Sequence, residues 1–171
     1  MNEKAITATA GYTQLAYVSN DFDRGLQTLG ATHGIEQFLE MRDLTYPTGP
    51  NRAVTCHVAL AFVGDMQFEL IAPLSGDVDV YRNYLPSGRD FALRFHHVAR
   101  RYPALGALEV CCQRWRDAGR VLPIDAQEPG GTRYFYGDFR AELGHYVECI
   151  YYPPEAAEFQ KQIPRSGTRF E

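Results

Sequence analysis

Four cysteines occur in 171 residues, and no two are spaced C-x-x-C. Cys111 and Cys112 are adjacent and would leave a helix in different directions, so neither a thiolate metal site nor a disulfide framework is expected; buried reduced thiols are. A basic stripe is also missing. The net charge is -4, which argues against nucleic acid as a partner. Apolar runs fall far short of a membrane span, and no hydrophobic segment follows Met1-Asn2-Glu3-Lys4. These absences predict a cytoplasmic protein without membrane contact, whose partner is a small molecule; a homodimer is compatible with them.

What is present is a core. Hydrophobic residues make up 45% of the chain, too many for disorder and enough for one domain or two similar halves. Alternation marks strands at Tyr12–Val18, Gly34–Met41, Arg52–Val63 and Met66–Ala72, with a helix at Phe22–Leu29 whose N-cap signal is the polar trio Ser19-Asn20-Asp21 and whose stop is Gly30. Thr45–Asn51, with two prolines and a glycine, reads as a loop. The order then recurs: strand Leu93–Ala99, helix Leu105–Ala118, and strands Arg120–Ala126, Thr132–Gly137 and His145–Tyr151. This predicts an α+β fold of two tandem βαβββ modules, residues 12–73 and 93–152, whose curved mixed sheets share one concavity. Residues 1–11 are a lead-in and 153–171 a tail.

Polar residues interrupt the strands at matching places. His97 opens the second module's first strand and Gln14 the first module's, 83 residues earlier; Glu69 and Glu148, 79 residues apart, close the last strands. Period-2 alternation puts Gln14, Glu69, His97 and Glu148 on the concave face, and gives His96 the opposite face as a structural residue. Burying one imidazole and two carboxylates is costly unless something compensates, and a cation is the simplest answer. One nitrogen and three oxygens without sulfur suit Zn²⁺, Ni²⁺, Co²⁺, Mn²⁺ or Mg²⁺ with positions left for water or substrate. His57, Arg133, Tyr134 and Tyr136 are candidate substrate contacts. Ala59 and Ala61, beside His57, leave room for something against their face.

Five stretches carry a family resemblance: Gln14-Leu-Ala-Tyr-Val-Ser-Asn-Asp21, Gln67-Phe-Glu69-Leu-Ile-Ala-Pro73, Phe95-His-His97-Val-Ala99, Gly131-Thr-Arg-Tyr-Phe-Tyr136 and Gly144-His-Tyr-Val-Glu148. Together they resemble the vicinal-oxygen-chelate superfamily, which includes lactoylglutathione lyase, methylmalonyl-CoA epimerase, drug-sequestering proteins and extradiol dioxygenases. The resemblance covers about residues 12–152. It implies paired βαβββ modules and a divalent metal held by Gln14, Glu69, His97 and Glu148. It also implies an isomerase, epimerase or lyase that moves a proton next to a carbonyl through a metal-stabilised enediolate, with Glu148 as base and Glu69 returning the proton. A non-catalytic small-molecule-binding protein is the alternative, and an Fe(II) dioxygenase the third. The glutathione-binding arginine pattern is missing.

Overall fold

The computed structural model describes residues 10–167, so most of the 1–11 lead-in and the last four residues of the tail lie outside the described residues. The first module runs β1 (Gly11–Ser19), α1 (Phe22–His33), β2 (Leu39–Gly49), β3 (Arg52–Val63) and β4 (Met66–Gly76). A short α2 (Asp79–Arg82) lies in the connection. The second runs β5 (Leu93–Arg101), α3 (Leu105–Asp117), β6 (Ile124–Gln127), β7 (Arg133–Phe139), α4 (Arg140–Leu143) and β8 (His145–Tyr151). A 3₁₀ turn (Pro154–Ala156), α5 (Ala157–Gln162) and β9 (Arg165–Ser166) follow.

The βαβββ order therefore occurs twice, in one mixed sheet ordered β2-β3-β4-β1-β5-β8-β7-β6, with β9 added beside β3. Within each module the first and last strands are parallel, and β1 and β5 join the modules antiparallel. The sheet curls until its edges nearly meet. The Tyr134 hydroxyl donates to the Pro47 carbonyl at 2.6 Å, and Arg52 donates to the Pro123 carbonyl at 3.2 Å.

The two long helices, α1 and α3, cover the convex side. The Asp21 carboxylate caps α1 by accepting from the Arg24 N–H, and Phe22 and Leu29 pack on Ala59, Leu70 and Ala72. The space left by the small residues of β3 is thus filled by a helix. On α3, Leu108 and Cys112 pack on Phe135 and Cys149 of β7 and β8. All four cysteines are free, and three are buried.

Several elements differ from expectation: β6 begins at Ile124 rather than Arg120 and β4 runs past Pro73 to Gly76, and three further differences have clear causes. Helix α1 passes Gly30 and ends at Gly34, whose φ of 67° is the left-handed conformation that closes a helix. Strand β2 begins later and continues through Pro47, because β2 is the sheet's edge and an edge strand tolerates a residue without an N–H. The tail is built into the fold: Ile163 is buried among residues of β3 and β4, and β9 runs parallel to Phe62-Val63.

Candidate active site

The central strands carry two rows of side chains. Glu69 on β4 is paired with Ala16 on β1, and Ala16 with His97 on β5. Glu148 on β8 is paired with Ala99 on β5, and Ala99 with Gln14 on β1. Strands two places apart are separated by roughly 9–10 Å of backbone. The methyl side chains of Ala16 and Ala99, both buried, leave space for the longer side chains to meet above them. The offset is the same in both modules. Gln14 faces Gln67, two residues before Glu69, and His97 faces Tyr146, two residues before Glu148.

The acid groups and the imidazole do meet. His97 Nε2 lies 3.3 Å from a Glu148 oxygen and 3.4 Å from a Glu69 oxygen. Neither contact is aligned as a hydrogen bond, so this fully buried nitrogen has no hydrogen-bond partner. Gln14 Nε2 donates to Gln67 Oε1 at 2.7 Å, which leaves the Gln14 carbonyl oxygen for the cavity. All four residues belong to one chain, so the constellation needs no second subunit.

His96 departs from the expected alternation. The β1–β5 register passes from Ala16↔His97 to Tyr17↔Phe95, so His96 is an extra residue in a β-bulge. Both imidazoles consequently turn inward, and Phe95 packs outside against Tyr17 and His145. His96 sits among the rings of Tyr81, Tyr84, Tyr136 and Tyr146. Its Nε2 is 2.9 Å from the Val80 carbonyl and its Nδ1 is 2.8 Å from His97 Nδ1.

These two distances fix the protons. A carbonyl only accepts, so His96 Nε2 carries a proton. Burial, then the neighbouring His97, holds the His96 pKa far below the usual imidazole value, so its Nδ1 has a lone pair and accepts from His97 Nδ1–H. The lone pair of a neutral His97 Nε2 then points at two carboxylates. Such an arrangement calls for a cation between them. A proton serves in the ion's absence: burial lowers the His97 pKa, but Glu148 and Glu69 outweigh it and hold it at about 9. Burial raises the Glu148 pKa in spite of His97.

Gln14, Glu69 and Glu148 form the floor of a cavity of about 440 Å³. Its walls are Met41, Leu44, Tyr46, Val58, Leu60, Tyr134, Tyr136 and Ile150; its mouth is framed by Glu128, Gly130, Tyr152, Glu155 and Phe159. Tyr134 and Tyr136 therefore face the cavity as expected.

His57 and Arg133 do not. His57 lies on the other face of β3, against the Phe22 ring, and its Nδ1 accepts from the Asp43 N–H. Arg133 pairs with Glu109 of α3 at 2.8 Å and with Asp125 of β6 at 2.6 Å. Its needs are met by structure, which excludes it from substrate contact. Glu128 escaped the sequence reading because it lies between strands. Its only signal was the Pro-Gly-Gly turn that follows, which folds it over the mouth through hydrogen bonds between Glu128 and Thr132 and between Gly131 and Glu128.

The donor set can be tested against a metal. Two donors each about 2.1 Å from a common ion at near-tetrahedral angles stand roughly 3.4 Å apart, matching the two contacts of His97 Nε2. An orphaned imidazole nitrogen, two carboxylates and an amide oxygen fit a hard or borderline divalent ion. The two carboxylates approach each other only through His97, and among the described residues no group of three or more His, Cys, Asp or Glu side chains is arranged to hold a metal ion.

The architecture is shared with solved structures of methylmalonyl-CoA epimerase. Methylmalonyl-CoA epimerase from Mycobacterium tuberculosis superposes with a TM-score of 0.58 at 17% identity, covering 89% of this chain and 95% of that one. The Streptomyces coelicolor epimerase, solved in complex with 2-nitronate-propionyl-CoA, gives 0.57 at 15% identity over 86% and 97%. A protein from Bacillus halodurans gives 0.56 at 16% over 84% and 95%. No family model and no curated protein sequence matches the chain. Among the described residues no helix is long and apolar enough to cross a membrane.

Proposed function

We propose that this protein is a metal-dependent isomerase or epimerase that moves a proton at a carbon next to a carbonyl, on a small carbonyl compound or acyl thioester. One observation carries the reading: an unpartnered, fully buried His97 Nε2 aimed at Glu69 and Glu148 on the floor of an apolar cavity. The fold shared with methylmalonyl-CoA epimerases supports it.

Gln14, Glu69, His97 and Glu148 would hold the ion. When bound, a divalent ion supplies Lewis-acid stabilisation of the negative charge that develops on a carbonyl oxygen. The chain's own residues do the rest. Glu148, in surroundings that raise its pKa, takes the proton from the carbon; Glu69, across Ala16 from His97, returns one to the other side. Both carboxylates reach the cavity, and the apolar walls exclude the water that would compete for the proton.

The test is exchange of α-protons in deuterated water, with the Zn²⁺- or Co²⁺-loaded protein and a panel of acyl thioesters and hydroxy-ketones. Exchange should fall by about 10²–10⁴-fold in Glu148→Gln. Equal exchange in that variant removes Glu148 as the base, and no exchange with any member of the panel favours a binding protein on the same fold.

A further inference from the structure

The charge of the cavity lining selects among ligands. Four carboxylates line it, and no lysine, arginine or histidine does among the described residues. Glu69 and Glu148 converge on His97 and would be balanced by a divalent ion. Glu128 and Glu155 are left over. Glu128 is half-buried, Glu155 is exposed, and among the described residues neither forms an ion pair. Between floor and mouth, the walls are aliphatic side chains and the rings of Tyr46, Tyr134, Tyr136 and Tyr152. Ring faces attract cations and do nothing for anions.

We propose that the cavity takes a carbonyl compound with an apolar body whose far end carries a protonated amine, and that it discriminates against a carboxylate or phosphate at that end. This rests on the proposed function only for the placement of the carbonyl over Gln14, Glu69 and Glu148; the ammonium lies among Glu128, Glu155 and Tyr152. The same chemistry separates this protein from the epimerases of its fold, one of which is solved with methylmalonyl-CoA, a ligand bearing negative charge. The opposing charge lies next door. A second cavity of about 230 Å³, on the far side of Gln14, Ile150 and Tyr152, contains Arg101 and Arg165. Arg101 stacks on Tyr152 at 5.2 Å and Arg165 on Phe62 at 3.8 Å, so both guanidiniums are already placed against rings.

Three probes of one shape decide it: para-acetylbenzylamine (cationic), para-methylacetophenone (neutral) and para-acetylbenzoate (anionic). Their binding to the Zn²⁺-loaded and the metal-free protein is measured by calorimetry, which needs no turnover. The amine should bind at least about tenfold more tightly than the benzoate, since one unit charge near a carboxylate that has no ion-pair partner, at a half-buried mouth, supports a preference of that size. The gap should narrow in Glu128→Gln and in Glu155→Gln. Glu128→Gln keeps the turn, whose hydrogen bonds to Thr132 and Gly131 are made by the backbone. Equal binding of amine and benzoate, tighter benzoate, no binding of any probe, or a gap unchanged in both variants overturns the proposal. So does benzoate binding that disappears in Arg101→Gln, which would assign charge selection to the neighbouring cavity. Loss of proton exchange with the amine preference intact would sink the enzymatic reading and leave this one standing.

Discussion

The Nδ1 atoms of His96 and His97 lie 2.8 Å apart, side by side on one strand. Neighbours on a regular strand point to opposite faces, so this contact exists only because of the bulge. Through it, the Val80 carbonyl decides which nitrogen of His97 is free for an ion. A hydrogen-bond partner behind a metal-binding imidazole fixes its tautomer and orientation.

Replacing His96 with alanine should therefore act at a distance. It leaves the Val80 carbonyl and His97 Nδ1–H unpaired inside the protein and opens a hole among four tyrosines. Zn²⁺ affinity should fall about 10–100-fold, and stability by about 2–4 kcal/mol from cavity and lost hydrogen bonds together. Zn²⁺ titration and urea unfolding read the two effects separately. His96→Gln, which can both donate and accept, should recover part of the affinity.

Ala16 offers the converse experiment. It stands between Glu69 and His97 with no exposure, so Ala16→Val places branches where the two side chains meet. Overpacking of this sort costs about 1–3 kcal/mol. We expect a folded protein that no longer takes up Zn²⁺, checked by metal analysis after dialysis. Full uptake would show that the two side chains do not need the space above Ala16.

A pH dependence follows from His97. Its pKa in the metal-free folded protein, about 9, is above the ordinary imidazole value near 6.5. The protonated form is favoured by folding, so its stabilising contribution is complete below about pH 6.5 and fades as pH rises through about 9. An ion entering the site must displace that proton. Between these limits, metal affinity should increase with pH and about one proton should be released per ion. Calorimetry in buffers of different ionisation enthalpy counts the protons; a pH-independent affinity over this range would exclude His97 as a ligand.

Gly137 supplies a control away from the cavity. A Cβ there would collide with Cζ3 and Cε3 of Trp115. Gly137→Ala should cost about 1–3 kcal/mol by forcing α3 off β7, while Zn²⁺ binding at the opposite face of the sheet persists in the folded fraction. Thermal unfolding with and without Zn²⁺ separates the two.

The duplicated strand order was legible because alternation and helix caps are local. Gln14, Glu69, His97 and Glu148 stood out because each puts polarity where a strand wants an apolar residue. Face assignment succeeded where strands are regular and failed at His96, since nothing in Phe-His-His-Val marks a bulge that arises from the register with β1. His57 was misjudged because the small residues around it make room for α1, a partner distant from them in the chain. Arg133 was misjudged because its anions come from α3 and β6. Pro47 hid the end of β2, since only the final sheet order shows that β2 is an edge. Glu128 reaches the mouth from a loop, where side-chain direction has no period, and Glu155 and Phe159 reach it from a 3₁₀ turn and a short helix that lie beyond the repeat.

The segment joining the two halves is more than a tether. It delivers the Val80 carbonyl to His96 and seats Tyr81 and Tyr84 against the same ring. A chain severed in the exposed stretch at Ser87-Gly88 would keep those groups on the first fragment. Two such fragments, produced together, should reassociate with the imidazole pair in register. A cut at Asp77 would instead leave the Val80 carbonyl on the same fragment as His96, so only the cut at Ser87-Gly88 tests whether the anchor can be supplied by a separate piece.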